Sequence, residues 1–210
     1  MIPRLIHAAG GRCRGAHFGP YDFSSACNIT SEHQTLTHPM CNFARQMIQI
    51  AVSGTPVTMA DGPTSILPIA PHRGSALTDS QVAENRSVVD RAMRLHYSNI
   101  HHALTNGIYQ GWDLHPAQLP TRYAAVYSYF LRNLDAVAAR LRNFTAKAAQ
   151  ATMIGDVFDD AATGQGLLNF FLRGHSCGAL TDEEVMSTGL TLQELRSRSF
   201  LHIVENRRVS

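Results

Sequence analysis

The chain has 210 residues, of which 44% are hydrophobic, 16% charged and 8% aromatic, with a formal net charge of +2. That is enough apolar surface for a sizeable core, so disordered and low-complexity classes are excluded. The charge balance is too mild to call for nucleic acid or an anionic membrane surface, and Lys147 is the one lysine among 18 basic residues, which leaves Schiff-base chemistry a single candidate in a poor setting.

From the N-terminus, Ile2 to Gly11 reads as a helix and its stop. The apolar run around Leu5 is broken by His7 and is too short for a signal segment. No stretch approaches the roughly 20 apolar residues of a membrane span. Cys13, Cys27, Cys41 and Cys177 form no C-x-x-C pair, so a zinc ribbon or thioredoxin site is not expected. Reduced and mostly buried thiols in a cytoplasmic protein are.

Three short apolar runs read as buried strands: Ala16 to Phe18, Pro56 to Ala60 and Ile108 to Leu114. Each ends in a turn signal and leads towards a helical pattern, which argues for parallel βα units. Pro39 opens a helix whose face carries Phe43, Met47, Ile50 and Ala51, and Gly54 closes it. The Pro-rich loop from Gly62 to Gly74 is read as mobile or as a lid. Thr78 and Gln81 make a capping box ahead of Val82, Val89, Met93, His96, Ile100 and Leu104, and Gly107 ends that helix. From Pro120, one long helix keeps its period through Tyr123, Phe130, Leu134, Leu141 and Phe144 over about six turns. Gly155, Gly164 and Gly166 mark a turn-rich stretch. Leu167 to Leu172 then makes a short apolar helix, which is core or a subunit contact, and two capping boxes follow, Thr181 with Glu184 and Thr191 with Glu194.

The chemistry is expected at the carboxyl ends of the strands, as in open α/β sheets and (β/α)8 barrels. Those ends carry Asp22, Asp61 and His115. His96, His101 and His102 share a helix, but their spacing misses the i, i+4 geometry of helical metal pairs. Asp156, Asp159 and Asp160 read as acids at a helix start rather than as a metal cluster. Gly164-Gln165-Gly166 lacks the Gly-Lys-Ser/Thr ending of a phosphate loop.

His17-Phe18-Gly19-Pro20-Tyr21-Asp22-Phe23-Ser24 resembles the strand-six signature of the HpcH/HpaI aldolase and citrate lyase beta-subunit superfamily. Asn106-Gly107-Ile108-Tyr109-Gln110-Gly111-Trp112-Asp113-Leu114-His115-Pro116-Ala117-Gln118 resembles its last strand, and Val57 to Asp61 falls where strand seven belongs. The chain is most similar to a citrate-lyase-like branch with a helical C-terminal extension. The resemblance covers roughly residues 1 to 205 but only the C-terminal half of the family's barrel. It implies an α/β fold: a partial (β/α)8 TIM barrel of about three to four βα units over residues 1–151, followed by a helical tail over residues 152–210.

The resemblance also implies a function, a divalent-metal-dependent carbon–carbon lyase. It would act on a 2-oxo acid or acyl-CoA-type substrate through a metal-stabilised enolate. Asp22 matches the family's metal-binding aspartate and suits Mg²⁺ or Mn²⁺. Gly19, Pro20 and Tyr21 match the stretch that lies against the substrate carboxylate. Asp61 and His115 are candidate catalytic residues. The family's second metal ligand, a glutamate at the end of strand five, has no counterpart before Asp22, and the basic residues of its early strands are absent. The chain alone therefore reads as incomplete, a fragment or a half that pairs with another chain, with a homo-oligomer expected. Two rival readings are a catalytically inactive scaffold of that family and a pyruvate or phosphoenolpyruvate phosphotransferase on a related barrel.

Overall fold

A computed structural model describes residues 2–154 and 161–209. The chain divides into two compact units, Met1–Ala125 and Val126–Ser210.

In the first unit, α1 (Ile2–Ala8) ends in a tight reversal through Gly10 and Gly11, both at positive φ. Strand β1 (Gly15–His17) leads directly into α2 (Pro20–Ala26), which starts at a proline because its fixed φ suits the first helical turn. Helix α3 (Pro39–Val52) follows, capped by the His38 ring, whose Nδ1 accepts from the Met40 N–H. Strand β2 (Thr58–Ala60) pairs parallel with β1, with Gly15 opposite Thr58 and His17 opposite Ala60. Helix α4 (Asp79–Thr105) opens on the expected Thr78–Gln81 capping box. Phe18, Cys41, Met59, Ala103 and Ile108 form the core over which α3 and α4 pack, with Phe23, Ala44 and Ile48 at its margin.

The expectation of a partial (β/α)8 barrel is corrected by this structure. Helices account for 63% of the residues, against two short parallel strands. Each strand is three residues long. The third expected strand, Ile108 to Leu114, contributes one parallel bridge, Gln110 to Ala60. The two paired strands offer only three residues each as partners, and the ladder does not extend past Gln110. At the next residue, Gly111, the Arg122 guanidinium packs so closely that a Cβ would stand 2.6 Å from both terminal nitrogens.

The second unit is built from helices alone among the described residues. Helix α5 (Leu119–Leu131) leads towards it, followed by α6 (Leu134–Ile154), α7 (Ala161–Ser176), α8 (Asp182–Met186), α9 (Leu192–Ser197) and α10 (Phe200–Val209). The single long helix expected from Pro120 is thus two helices, interrupted at Arg132 and Asn133. Gly164 and Gly166 lie inside α7, not in a turn, and the short helix read at Leu167–Leu172 is the middle of that longer one. Both late capping boxes form as expected. Phe130, Leu141, Leu168, Phe171, Val185, Phe200 and Ile203 fill the interior. The Phe130 and Phe170 rings meet edge to face at 5.2 Å. Asp156, Asp159 and Asp160, Gly155, and the side chain of Lys147 lie outside the described residues.

Candidate functional site

The carboxyl ends of the paired segments come together at one edge. The Phe18 N–H donates to the Ala60 carbonyl, and the Asp61 N–H donates to the Gln110 carbonyl, so the chain leaves β1, β2 and Gln110 side by side. The Gly19–Asp22 turn, Asp61 and the Gly111–His115 loop are carried to this edge, as the sequence predicts.

The turns are in backbone contact. A Cβ on Gly62 would lie 2.3 Å from Pro20 Cδ and 2.9 Å from the Phe18 carbonyl oxygen. Only a residue without a side chain fits between them. Tyr21 fastens the same contact: its hydroxyl donates to the Pro63 carbonyl at 3.0 Å and accepts from the Ser65 N–H at 3.1 Å. The start of the Pro-rich loop is therefore anchored, which corrects its reading as mobile there.

The predicted site residues meet different fates. Asp22 is exposed in the first turn of α2, and its carboxylate folds back to 3.6 Å from where a Gly19 Cβ would be. Among the described residues it has no hydrogen-bond or ion-pair partner. Asp61 is buried at 4% exposure. Its two oxygens accept from Arg45 Nη1 at 3.0 and 2.9 Å, and Oδ1 also accepts from the Gly62 N–H at 2.8 Å. Arg45 Nη2 donates further to the Leu36 carbonyl and to Asn42 Oδ1, and stands 3.3 Å from His102 Nε2. His115 is exposed and caps the 3-10 turn Pro116–Gln118, its Nδ1 accepting from the Ala117 N–H at 3.1 Å.

A second polar network lies under the loop. Thr64 Oγ1 stands 2.9 Å from His96 Nδ1 and accepts from Asn99 at 3.0 Å, and the Thr64 carbonyl accepts from the Gln118 amide at 3.0 Å. His96, Thr64 and Gln118 are all buried. Asp113 takes a bidentate contact from Arg122, at 2.5 Å from Nε and 2.8 Å from Nη2. Asp113 Oδ1 also lies 3.0 Å from His96 Nε2, but out of line, so that nitrogen has no well-aligned acceptor. Burial holds the His96 imidazole below its ordinary pKa, and the Arg122 guanidinium adds to this while Asp113 opposes it. Burial followed by the Arg45 charge does the same to His102. Among the described residues, no three His, Cys, Asp or Glu side chains converge as a metal site. A cleft of about 580 Å³ between α4 and α5 is lined by Met93, Arg94, Tyr97, Pro120, Thr121 and Ala124. None of the predicted site residues lines it.

A family model described as a domain of unknown function (DUF6986) matches residues 1–203. The chain belongs to that family. No curated protein and no solved structure matches it.

In this DUF6986 chain, sequence reasoning missed Arg45 and the Asp113–Arg122 pair. A signal for Arg45 was present: it interrupts an inward face of α3 that otherwise reads Cys41, Ile48, Val52, and a charge at such a position calls for a buried partner. Gln118, the last residue of the second resembling motif, is fully buried, and its side-chain oxygen accepts from the Leu114 N–H.

Proposed function

We propose that this chain contributes to a divalent-metal-dependent carbon–carbon lyase site of the aldolase and citrate-lyase-like type, acting on a 2-oxo acid or acyl-CoA-type substrate in the cytoplasm. One observation carries the reading: of the three carboxylates at the strand-tip edge, Asp61 and Asp113 are each engaged by an arginine, whereas Asp22, on the turn that resembles the superfamily's metal-binding motif, is exposed without a partner. The donor set is short of a complete cage. Mg²⁺ commonly binds through one or two carboxylates and keeps several waters, so Asp22 with water and a substrate carboxylate fits that pattern, with further donors coming from another polypeptide. Such an ion supplies Lewis-acid polarisation of a keto oxygen when bound. The chain's own part is narrower. Gly19 is half-buried at this edge and Pro20 is buried beneath it, while the Tyr21 hydroxyl is committed to Pro63 and Ser65 and its carbonyl accepts from Ser24 Oγ, so Asp22 is the group of this turn left to meet a ligand.

The engagement of Asp61 by Arg45 and of His115 as a cap favours a second reading, a catalytically inactive relative that retains the ion site. Titration of the full chain with Mn²⁺ in the presence of oxalate, followed by electron paramagnetic resonance, separates these readings from failure of both. Wild type is expected to bind Mn²⁺, and Asp22→Asn to bind at least tenfold more weakly with an unchanged melting temperature. Absence of binding, or equal binding by Asp22→Asn, overturns the metal site. Binding without cleavage of oxaloacetate or a malyl-type thioester supports the inactive relative.

A further inference from the structure

The cleft of about 580 Å³ in the first unit is lined from α4 by Met93, Arg94 and Tyr97 and from α5 by Pro120, Thr121 and Ala124. Each helix contributes a residue, the next one and the one a turn further on, so a single patch of each surface is used. Most of the lining is apolar. The Tyr97 ring stacks on His101, with 19° between the planes and 6.4 Å between the centroids, which fixes one wall. Two polar groups interrupt the lining. Thr121 is buried at 8% exposure, yet among the described residues its hydroxyl has no hydrogen-bond partner. A hydroxyl carries one donor and two acceptor sites, and leaving them unmade in a buried residue is costly. Arg94 is exposed, and among the described residues it has neither an ion pair nor a hydrogen bond. Polar groups elsewhere in this unit are engaged: Thr64 bonds His96 and Asn99, and Arg45 and Arg122 each hold a carboxylate.

We infer that this cleft binds a small organic carboxylate with a flat apolar body. Small-molecule sites have volumes of roughly 300–1,000 Å³ and are lined mainly by apolar side chains, with a few polar groups that fix orientation. The Tyr97 ring, the Met93 thioether and Pro120 suit an aromatic ring. Arg94 offers the planar fork of donors that matches a carboxylate, and the Thr121 hydroxyl donates to an oxygen of the same ligand. Arg94 is the one charged residue of the lining. A monoanion is therefore matched, whereas a phosphate dianion would keep uncompensated charge. The cleft shares no residue with the strand-tip edge, so this inference is independent of the lyase reading.

Isothermal titration calorimetry of the full chain with 2-naphthoate, and with its uncharged isostere 2-naphthamide, tests it. Wild type is expected to bind 2-naphthoate with a dissociation constant of about 20 μM to 1 mM, and the amide about tenfold more weakly. Arg94→Gln is expected to reduce naphthoate to the affinity of the amide while leaving the amide unchanged. Thr121→Val is expected to weaken naphthoate by about threefold to tenfold. Ala124→Trp, which fills the cleft, is expected to abolish binding of both probes with an unchanged helical circular dichroism spectrum. Asp22→Asn is expected to leave naphthoate binding as in wild type, so this cleft and the metal site fail or stand separately. No saturable binding of naphthoate up to about 5 mM overturns the inference. So does binding that survives Ala124→Trp, or that is lost in Asp22→Asn. Equal affinity for acid and amide, or for wild type and Arg94→Gln, overturns the carboxylate as the ligand class.

Discussion

Ser24, Arg45, Asp61, Thr64, His96, Gln118 and Thr121 are buried in the first unit, whereas the buried polar side chains described in the second are Thr145 and Thr188. Those two threonines satisfy themselves locally, Thr145 on the Leu141 carbonyl and Thr188 on that of Val185. The interior beside them is apolar, led by phenylalanine and leucine. The polar groups of the first unit reach across the sequence instead: Arg45 to Asp61, Thr64 to His96, Gln118 to Thr64. Long-range bonds of this kind fix loops in one geometry, because a half-satisfied network costs more than none. The second unit is secured by apolar packing, with the starts of α8 and α9 capped at the surface. A region that positions chemical groups and a region that only packs are thereby told apart without reference to any ligand.

The largest effect expected from breaking this contrast is at Asp61. Asp61→Ala leaves the Arg45 guanidinium buried without its counter-charge and is expected to cost about 3–5 kcal/mol. Urea denaturation measures it. Asp61→Leu with Arg45→Met should recover most of the loss, since an apolar pair of similar volume needs no compensation. A loss below about 1 kcal/mol for Asp61→Ala would show that the pair does not hold the first unit together.

The second unit should respond to shape rather than charge. Alanine is a better helix former than glycine by about 1 kcal/mol. Yet Gly164→Ala places a Cβ 2.4 Å from the Phe200 ring carbons inside α7. The expected net is a destabilisation of about 1–3 kcal/mol, relieved when Phe200 is replaced by leucine. Thermal melting of the single and double variants checks this. Stabilisation by Gly164→Ala alone would show that the ring contact is not fixed.

The smallest effect is in pH dependence. His96 and His102 both have folded-state pKa values below the ordinary 6.5. The folded state therefore favours their neutral forms. Their contribution is complete above about pH 6.5 and is lost as the pH falls through the lowered folded values. Stability measured between pH 7.5 and 5 should decline with acid, and His96→Gln should flatten that slope whatever it does to stability at neutral pH. An unchanged slope would remove His96 from the account.

What the sequence revealed was local. The capping boxes at Thr78, Thr181 and Thr191 depend on residues three apart and form as read. Pro39 and Gly54 bracket α3 for the same reason. The meeting of the Gly19–Asp22 turn, Asp61 and the Gly111 loop was also legible, because turn signals after short apolar runs mark where strands stop. The break at Arg132–Asn133 was not. A two-residue interruption barely shifts the helical phase, so the apolar period runs across it. Gly164 was misread because glycine signals a turn unless a bulky neighbour needs the space, and Phe200 is 36 residues away. The Arg45–Asp61 and Asp113–Arg122 pairs depend on which segments fold against each other, which periodicity does not encode. The extent of the sheet was overestimated because an apolar run reports burial but not whether the backbone pairs with another strand; from Ile108 to Leu114, only Gln110 does.

The contact of Gly62 with Pro20 bears on how any molecule could meet this edge of the protein. The Pro20 ring and the Phe18 carbonyl stand against Gly62 with no space for even a methyl group between them. There is no slot to enter. Pro20 and Gly62 are both buried, so their contact lies beneath the edge, and a molecule meeting the protein here would touch the exposed residues around it, Asp22 among them, and not the contact itself.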